Sequence, residues 1–175
     1  ACRFEAAVGA GMPCVRVLQD YMNLSNPVER IDGVLNGTCN FVLEKMTHGV
    51  GLDEAVRMAQ ECGYAEADAS DDIEGMDAAH KISILAYVAF GRFPDQLDVK
   101  GIGGVKDARN VKLLASAERL DQRVVCRVGP VMGGPSVSGV ENAVQFVGQY
   151  GTVTLYGPGA GGEATAAAVV ADVLA

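Results

Sequence analysis

The chain has 175 residues, 49% of them hydrophobic, and a formal net charge of −8. This length and composition exclude global disorder and indicate one domain, or one large part of a longer protein. The excess of acids argues against nucleic acid or an anionic membrane as the main partner, because either would need a basic surface.

The spacing of apolar residues and the positions of glycine and proline predict alternating strands and helices. For example, the segment 76–90 places alanine, isoleucine and leucine on one helical face and is followed by Gly91, a common helix stop. In chain order, the predicted elements are a strand over 3–8, a helix over 13–22, a strand over 28–35, a helix from Thr38, helices over 52–62 and 76–90, a helix formed by VKLLASAERL within 100–120, a strand over 124–132, a hairpin over 143–156 that turns at Tyr150-Gly151, and a helix that ends the chain.

Residues 66–77 contain six acids in twelve positions. A solvated loop is the usual role of such a segment. A calcium loop is an alternative, although Ile73 stands where that pattern requires glycine. Asp77 and Lys81 are four residues apart on a predicted helix and therefore share a face. They could form an ordinary ion pair, or part of a site that binds an amino-acid ammonium beside a proton-donating amine.

Three further segments have two interpretations each. GPGAGG (157–162) satisfies G-x-G-x-x-G, but too few residues follow for a dinucleotide-binding unit. It is either a tight strand-to-helix turn or an anion site at a helix N-terminus. The segment 36–40 is either a helix cap or a set of donors at a strand end. The segment 9–13 is either a simple turn or a source of backbone carbonyls for a hard cation.

Four blocks of the sequence together cover most of the chain: FEAAVGAGMP (4–13), NGTCNFVLEKM (36–46), AQECGYAEADASDDIEGMDAAHKISILA (59–86) and GPGAGGEATAAAVVADVL (157–174). They resemble homoserine dehydrogenase and occur in that family's order. This resemblance implies the reversible, NAD(P)H-dependent reduction of L-aspartate 4-semialdehyde to L-homoserine, on the route to threonine, isoleucine and methionine.

The resemblance also implies site residues. Lys81 matches the family's catalytic lysine, which protonates the alkoxide that forms as hydride arrives. A lysine ammonium suits this role because it stabilises negative charge more strongly in the transition state than in the ground state. The implied substrate-binding residues are Glu66, Asp77, Asp72, Tyr64 and Thr38, the implied cofactor-binding residues are Gly63, Gly161 and Gly159, and the implied ligands of a monovalent cation, Na⁺ or K⁺, are the backbone carbonyls of Glu5, Val8, Ala10 and Met12.

The fold expected from the resemblance is α/β, with a mixed sheet covered by helices. Residues 1–156 would form the substrate-binding, catalytic and dimerisation domain. Residues 157–175 would form a turn and helix that pack on a nucleotide-binding domain, which this chain lacks. A naked sheet face would expose a large apolar patch, so a homodimer is expected.

Two further expectations concern the setting and the activity of the chain. Its five cysteines, an odd count without any C-x-x-C pair, predict reduced thiols in a cytoplasmic protein. The alternative to catalysis is a non-catalytic dimerisation and ligand-binding module without a hydride-donor domain.

Overall fold

The computed structural model describes residues 3–24, 26–159 and 162–174. The elements are a 3₁₀ helix Glu5–Ala7, α1 Cys14–Asn23, β1 Val28–Val34, α2 Gly37–Thr47, α3 Leu52–Glu61, α4 Ser70–Ile73, α5 Met76–Phe90, β2 Gln96–Val99, β3 Val111–Leu120, β4 Arg123–Met132, β5 Glu141–Gly148, β6 Gly151–Pro158 and α6 Gly162–Leu174.

The six strands form one mixed sheet in the order β2-β4-β3-β1-β5-β6. The β2–β4 pair is parallel, and the other pairs are antiparallel. Helix α5 packs across β1 to β4 and buries Ile82 and Leu85, while Ile31, Leu113 and Phe146 are fully buried on the strands. The predicted α/β fold with a mixed sheet and helices is confirmed.

The predicted strand over 3–8 is wrong, because the chain forms a 3₁₀ helix at Glu5–Ala7 instead. This compact turn brings the buried Glu5 carboxylate to the start of α1. There it accepts hydrogen bonds from Val15 N at 2.8 Å and Arg16 N at 2.9 Å. A carboxylate in this position satisfies free backbone donors and the positive end of the helix dipole.

The predicted helix VKLLASAERL is also wrong, because these residues form strand β3. Burial alternates along the strand, with Val111, Leu113, Ala115 and Ala117 facing the core. Leucine, alanine and glutamate favour a helix in isolation, but pairing with both β4 and β1 overrides that preference. The short parallel strand β2 was not predicted.

The sheet face opposite α5 carries both charged and apolar side chains. Arg30 pairs with Asp32 at 2.7 Å, and Arg127 pairs with Glu118 on the neighbouring strands. The strand register places apolar residues on this face as well, among them Val34, Leu114, Val125, Val131 and Val147. The register places on this face Arg30, Asp32, Ser116, Glu118, Arg127 and Gln145.

In the described part of the chain, Cys14, Cys39, Cys62 and Cys126 are free, and all but Cys62 are buried. Burial raises the pKa of Cys14 to about 12 and that of Cys126 to about 11. Burial also raises the pKa of the Cys39 thiol, and the charges of Asp72 and Asp77 add to that rise. None of the described helices has the length and apolar character needed to cross a membrane.

Gly101 lets the segment before β3 pass against the end of α4. A Cβ at this position would lie 2.2 Å from Ile73 O and 2.6 Å from Glu74 Cα. The next residue, Ile102, donates its N–H to the same Ile73 oxygen at 2.9 Å. This contact fixes the acidic segment to the sheet.

We expect Gly101→Ala to lower the free energy of unfolding by about 1–3 kcal/mol, because backbone atoms must move to admit the methyl group. Urea unfolding measures this change. Gly103→Ala is the matched control, since no atom lies within 4 Å of a Cβ there. Equal stability of the two variants would contradict the packing described.

Candidate active site

A cleft of about 540 Å³ lies where the start of α2, the acidic segment and the first turns of α5 meet. It contains predicted substrate-binding residues from separate parts of the chain together with the predicted catalytic lysine. The residues that line it are Asn36, Gly37, Thr38, Tyr64, Glu66, Asp68, Ser70, Asp71, Asp72, Asp77, His80, Lys81 and Gly159.

Asn36 connects the acids of the cleft to the start of α2. Its Oδ1 accepts a hydrogen bond from Cys39 N at 2.7 Å, so it caps the helix as the sequence predicted. Its Nδ2 donates to Asp72 Oδ1 at 2.6 Å and to Asp77 Oδ2 at 2.8 Å. Since an amide NH₂ carries two hydrogens, one buried side chain satisfies both carboxylates and offsets their repulsion.

The ammonium of Lys81 lies against Asp77, one turn earlier on α5. Its Nζ donates to Asp77 Oδ2 at 2.7 Å and to Leu35 O at 3.0 Å. The two side chains are 18% and 32% exposed, so this pair is better shielded than a surface ion pair. An ammonium has three hydrogens, and these two bonds leave one for a group bound in the cleft.

The carboxyl of Asp72 lies deeper in the site. Burial raises its pKa above the ordinary value, the hydrogen bond from Asn36 opposes that rise, and the charge of Asp77 adds to it. The backbone carbonyl of Asp72 also accepts a hydrogen bond from Cys39 Sγ at 3.0 Å. Asp72 therefore links the acidic segment to the start of α2 through Asn36 and Cys39.

Thr38, Tyr64 and Glu66 complete the predicted substrate side. Thr38 Oγ1 donates to Tyr64 O at 2.8 Å, and the Tyr64 ring packs edge-on against Phe41 with 5.2 Å between the ring centroids. Glu66 is exposed in the cleft, and its carboxylate makes no hydrogen bond to any residue that the structure describes. This carboxylate is therefore available to a ligand.

Of the three predicted cofactor-binding glycines, one lines the cleft, one lies near it, and one is outside the described residues. Gly159 lines the cleft and packs so closely on the Asn142 amide that a Cβ would lie 2.1 Å from Asn142 Cγ. Gly63 has a φ of +73° and follows α3, where a Cβ would meet open space. It precedes Tyr64 but is not among the lining residues. Gly161 lies outside the described residues.

The four predicted cation ligands lie in and after the 3₁₀ helix. The carbonyl of Glu5 accepts a hydrogen bond from Val8 N at 3.3 Å, and that of Met12 accepts one from Cys14 N at 2.7 Å. Ala10 has a φ of +50°, so the loop turns sharply here. A carbonyl that accepts one hydrogen bond keeps a second lone pair for a cation. The monovalent-cation site stays a prediction.

Within the described ranges, no three His, Cys, Asp or Glu side chains are grouped so that they could hold a metal ion. This disfavours the calcium-loop interpretation of the acidic segment. The segment instead forms the short helix α4 and lines the cleft with Asp68, Asp71 and Asp72.

Six residues that line this cleft were not among the predicted site residues: Asn36, Gly37, Asp68, Ser70, Asp71 and His80. Asn36 belongs to the segment predicted as a helix cap or a set of donors, but its acceptors could not be named, because Asp72 and Asp77 are 36 and 41 positions away. His80 also lines the cleft and is exposed, although it neighbours Lys81 rather than sharing its face. The places of Asn36 and His80 in the cleft cannot be inferred from the spacing of nearby residues in the sequence.

The chain is similar to homoserine dehydrogenases along nearly its whole length. The sequence model of the family described as homoserine dehydrogenase matches residues 13–174. The homoserine dehydrogenase of Pyrococcus horikoshii is 38% identical over 176 residues, which cover 98% of this chain and 54% of that protein. That of a Synechocystis species is 40% identical over 192 residues, which cover 97% of this chain and 44% of that protein.

Solved structures that resemble this chain belong to the same family. A hyperthermophilic archaeal homoserine dehydrogenase in complex with NADPH matches with a TM-score of 0.90 and 38% identity, over 98% of this chain and 54% of that one. The homoserine dehydrogenase of Thiobacillus denitrificans matches with a TM-score of 0.89 and 39% identity, over 98% and 44%. The chain thus spans about half the length of the relatives it matches.

The raised pKa of Asp72 predicts a pH-dependent effect of Asp72→Asn. A carboxyl whose pKa is raised by folding contributes stability below its unfolded pKa near 3.8, and that contribution is lost as the pH rises through the folded pKa. The amide does not titrate. Between about pH 3 and pH 7 the variant should therefore gain stability relative to the native chain.

Urea unfolding at a series of pH values tests this expectation. Asp71→Asn, at an exposed position of the same short helix, corrects for the loss of a surface carboxylate. A difference between native chain and Asp72→Asn that does not change with pH would contradict the assigned burial.

Proposed function

The chain belongs to the homoserine dehydrogenase family, and from that premise we propose that it forms the substrate-binding and catalytic part of an NAD(P)-dependent homoserine dehydrogenase. The reaction is the reversible reduction of L-aspartate 4-semialdehyde to L-homoserine. The observation that carries this proposal is the Lys81 ammonium, held by Asp77 and Leu35 O in a cleft lined with acids.

The acids bind the amino-acid end of the substrate. Aspartate semialdehyde carries an ammonium, and the Glu66 carboxylate is exposed in the cleft without a described partner. Charge-assisted hydrogen bonds between an ammonium and a carboxylate are among the stronger polar contacts. Asp77 contributes negative charge nearby, while Asp72 keeps Asn36 in place. Thr38 and Tyr64 close the wall beside them.

Lys81 acts on the oxygen of the aldehyde. The nicotinamide cofactor, when bound, supplies a hydride to the carbonyl carbon. As the oxygen becomes an alkoxide, the remaining N–H of Lys81 stabilises the new charge and then donates the proton. Asp77 holds the ammonium in place throughout, because its bond to Nζ does not involve the substrate. In the reverse reaction, Lys81 accepts the hydroxyl proton of homoserine.

The residues at the end of β6 fit a nicotinamide cofactor. Gly159 brings bare backbone to the cleft, which allows a flat ring to approach closely. Asn142 behind it is fully buried, and neither polar atom of its side chain has a partner among the described residues. We place the nicotinamide end of the cofactor beside Gly159, with Gly63 and Gly161 as further contacts implied by the family.

The domain assignment follows the same logic. Residues 1–156 form the substrate-binding and catalytic domain, and residues 157–175 the turn and helix that pack on a nucleotide-binding domain. Helix α6 supports this assignment, since it buries little besides Ala168 and leaves an apolar surface uncovered. The exposed apolar residues of α6 are Val169, Val170, Val173 and Leu174.

Several finer points belong to the same proposal. The enzyme would act in threonine, isoleucine and methionine biosynthesis, in the cytoplasm, with Na⁺ or K⁺ on the carbonyls around the 3₁₀ helix. Free thiols in the described part agree with a reducing compartment. A homodimer through the sheet face opposite α5 is also proposed, since this face carries exposed apolar residues such as Leu120 and Val131 beside its charged pairs.

In a full-length protein that joins this chain to a nucleotide-binding half, we expect Lys81→Ala to lower turnover by about 10²–10⁴-fold, the usual contribution of a general acid. Circular dichroism should show an intact fold. Lys106→Ala, an exposed lysine outside the cleft, is the matched control and should retain full activity. Turnover that barely changes in Lys81→Ala would remove this residue from the chemistry.

The second candidate, a non-catalytic ligand-binding module, is tested with the chain alone. Supplied with NADPH and aspartate semialdehyde, it should show no turnover, because the hydride donor has no complete binding site, yet calorimetry should detect homoserine. Clear turnover would reject the module. Absence of homoserine binding, with the fold intact, would count against both candidates.

A further inference from the structure

Four hydrogen bonds hold the loop between β4 and β5 against α2, two of them directly and two through Lys112 of β3. Lys112 Nζ donates to Asn40 Oδ1 at 2.6 Å and to Val137 O at 2.7 Å. Asn40 Nδ2 donates to Gly139 O at 2.8 Å, and Glu44 Oε2 accepts a bond from Gly139 N at 2.8 Å. We call the side chains of Lys112, Asn40 and Glu44 the clamp. Asn40 is 1% exposed, so its bonds are shielded from water.

The residue after the clamped backbone contacts both parts of the cleft that the proposed reaction needs. Val140 O accepts a hydrogen bond from Gly159 N at 3.2 Å. The same oxygen would lie only 2.7 Å from a Cβ on Gly37, so α2 can start here only with glycine. Gly37 adjoins Asn36 on the proposed substrate side, and Gly159 lies on the side where we place the nicotinamide. The Val140 carbonyl therefore sets the distance between Gly37 and Gly159.

Apolar contacts would be enough to hold this loop against the sheet even without the clamp. Val137 is buried in a small cluster with Val34 and Ala143, and Leu114 packs against it. Such contacts are non-directional, so they attach the loop without fixing its position along α2. The directional bonds of the clamp fix that position.

The Lys112 ammonium of the clamp is partly buried, and burial disfavours its charged form. Burial lowers the pKa of Lys112, and the charge of Glu44 opposes that shift. The charged and titratable groups beside the Lys112 ammonium are thus Glu44 on α2, with Asn40 and the loop carbonyl as neutral acceptors. A partly buried lysine whose bonds all reach one loop and one helix is suited to holding them in register.

We propose that Lys112 is a positioning residue, which sets the spacing of Gly37 and Gly159 through the clamped loop and the Val140 carbonyl. This inference rests on the proposed dehydrogenase function. Hydride transfer needs both reactants aligned, and a displacement of about 1 Å can cost about 10²-fold in rate. Loss of the clamp should therefore lower kcat and leave the affinity for each ligand largely unchanged.

The test compares Lys112→Met with Lys106→Met in the full-length protein. Lys112→Met keeps an apolar stem but removes both donated bonds, while Lys106 is exposed and lies outside the clamp. We expect kcat to fall about 10- to 100-fold with each KM within about threefold. The Gly159 amide should exchange at least about tenfold faster than in Lys106→Met, because its bond to Val140 O is loosened.

Glu44→Ala removes the single bond to Gly139 N, so kcat should fall and Gly159 exchange should rise, both less than in Lys112→Met. This variant replaces Lys112→Met if the latter does not fold. Lys112→Arg should recover part of kcat. An unchanged kcat in the folded variants, or a lower kcat without faster Gly159 exchange, overturns the inference. If the native full-length protein has no dehydrogenase activity, the proposed function fails, and unchanged Gly159 exchange would then reject the clamp separately.

Discussion

One side-chain amide lies between two carboxylates, and the cleft depends on it. Asn36 comes from the joint between β1 and α2, Asp72 from α4, and Asp77 from α5, so three elements meet at a single NH₂ group. Without those two donated hydrogens, the carboxylates would repel each other in a partly buried space. With them, Asp77 can give its other interactions to Lys81, and the ammonium stays oriented toward the cleft. The residue that follows β1 contributes directly, since Leu35 O accepts a hydrogen bond from the same ammonium.

How far the sequence could predict the fold depended on whether an element is determined locally. Helix α5 was predicted at 76–90 and occupies Met76–Phe90, because its apolar spacing and Gly91 both lie within the segment. Strand β3 could not be recognised in the same way, since its leucines and alanines favour a helix and its strand character comes from two neighbours. The 3₁₀ helix at Glu5–Ala7 likewise depends on contacts with the start of α1.

The site shows the same division. Asp77 and Lys81 could be paired from spacing alone, because four residues make one helical turn. The roles of Glu66, Tyr64 and Thr38 came from family resemblance, and the structure gathers them in one cleft with that pair. The bridge by Asn36 depends on positions far apart in the chain, which no local pattern reports. The mixture of charged and apolar side chains on the sheet face opposite α5 could be recognised only from the register of β1, β3 and β4.

The four described cysteines differ in a way that has a practical use. Cys39 lies against Asp72 with its thiol kept protonated, and Cys14 and Cys126 are buried. Since the thiolate is the nucleophile, alkylating reagents and oxidants should spare these three. Cys62 is exposed at the end of α3, two residues before Tyr64. A fluorophore attached there would sit beside the cleft without entering it, and could report ligand arrival in real time.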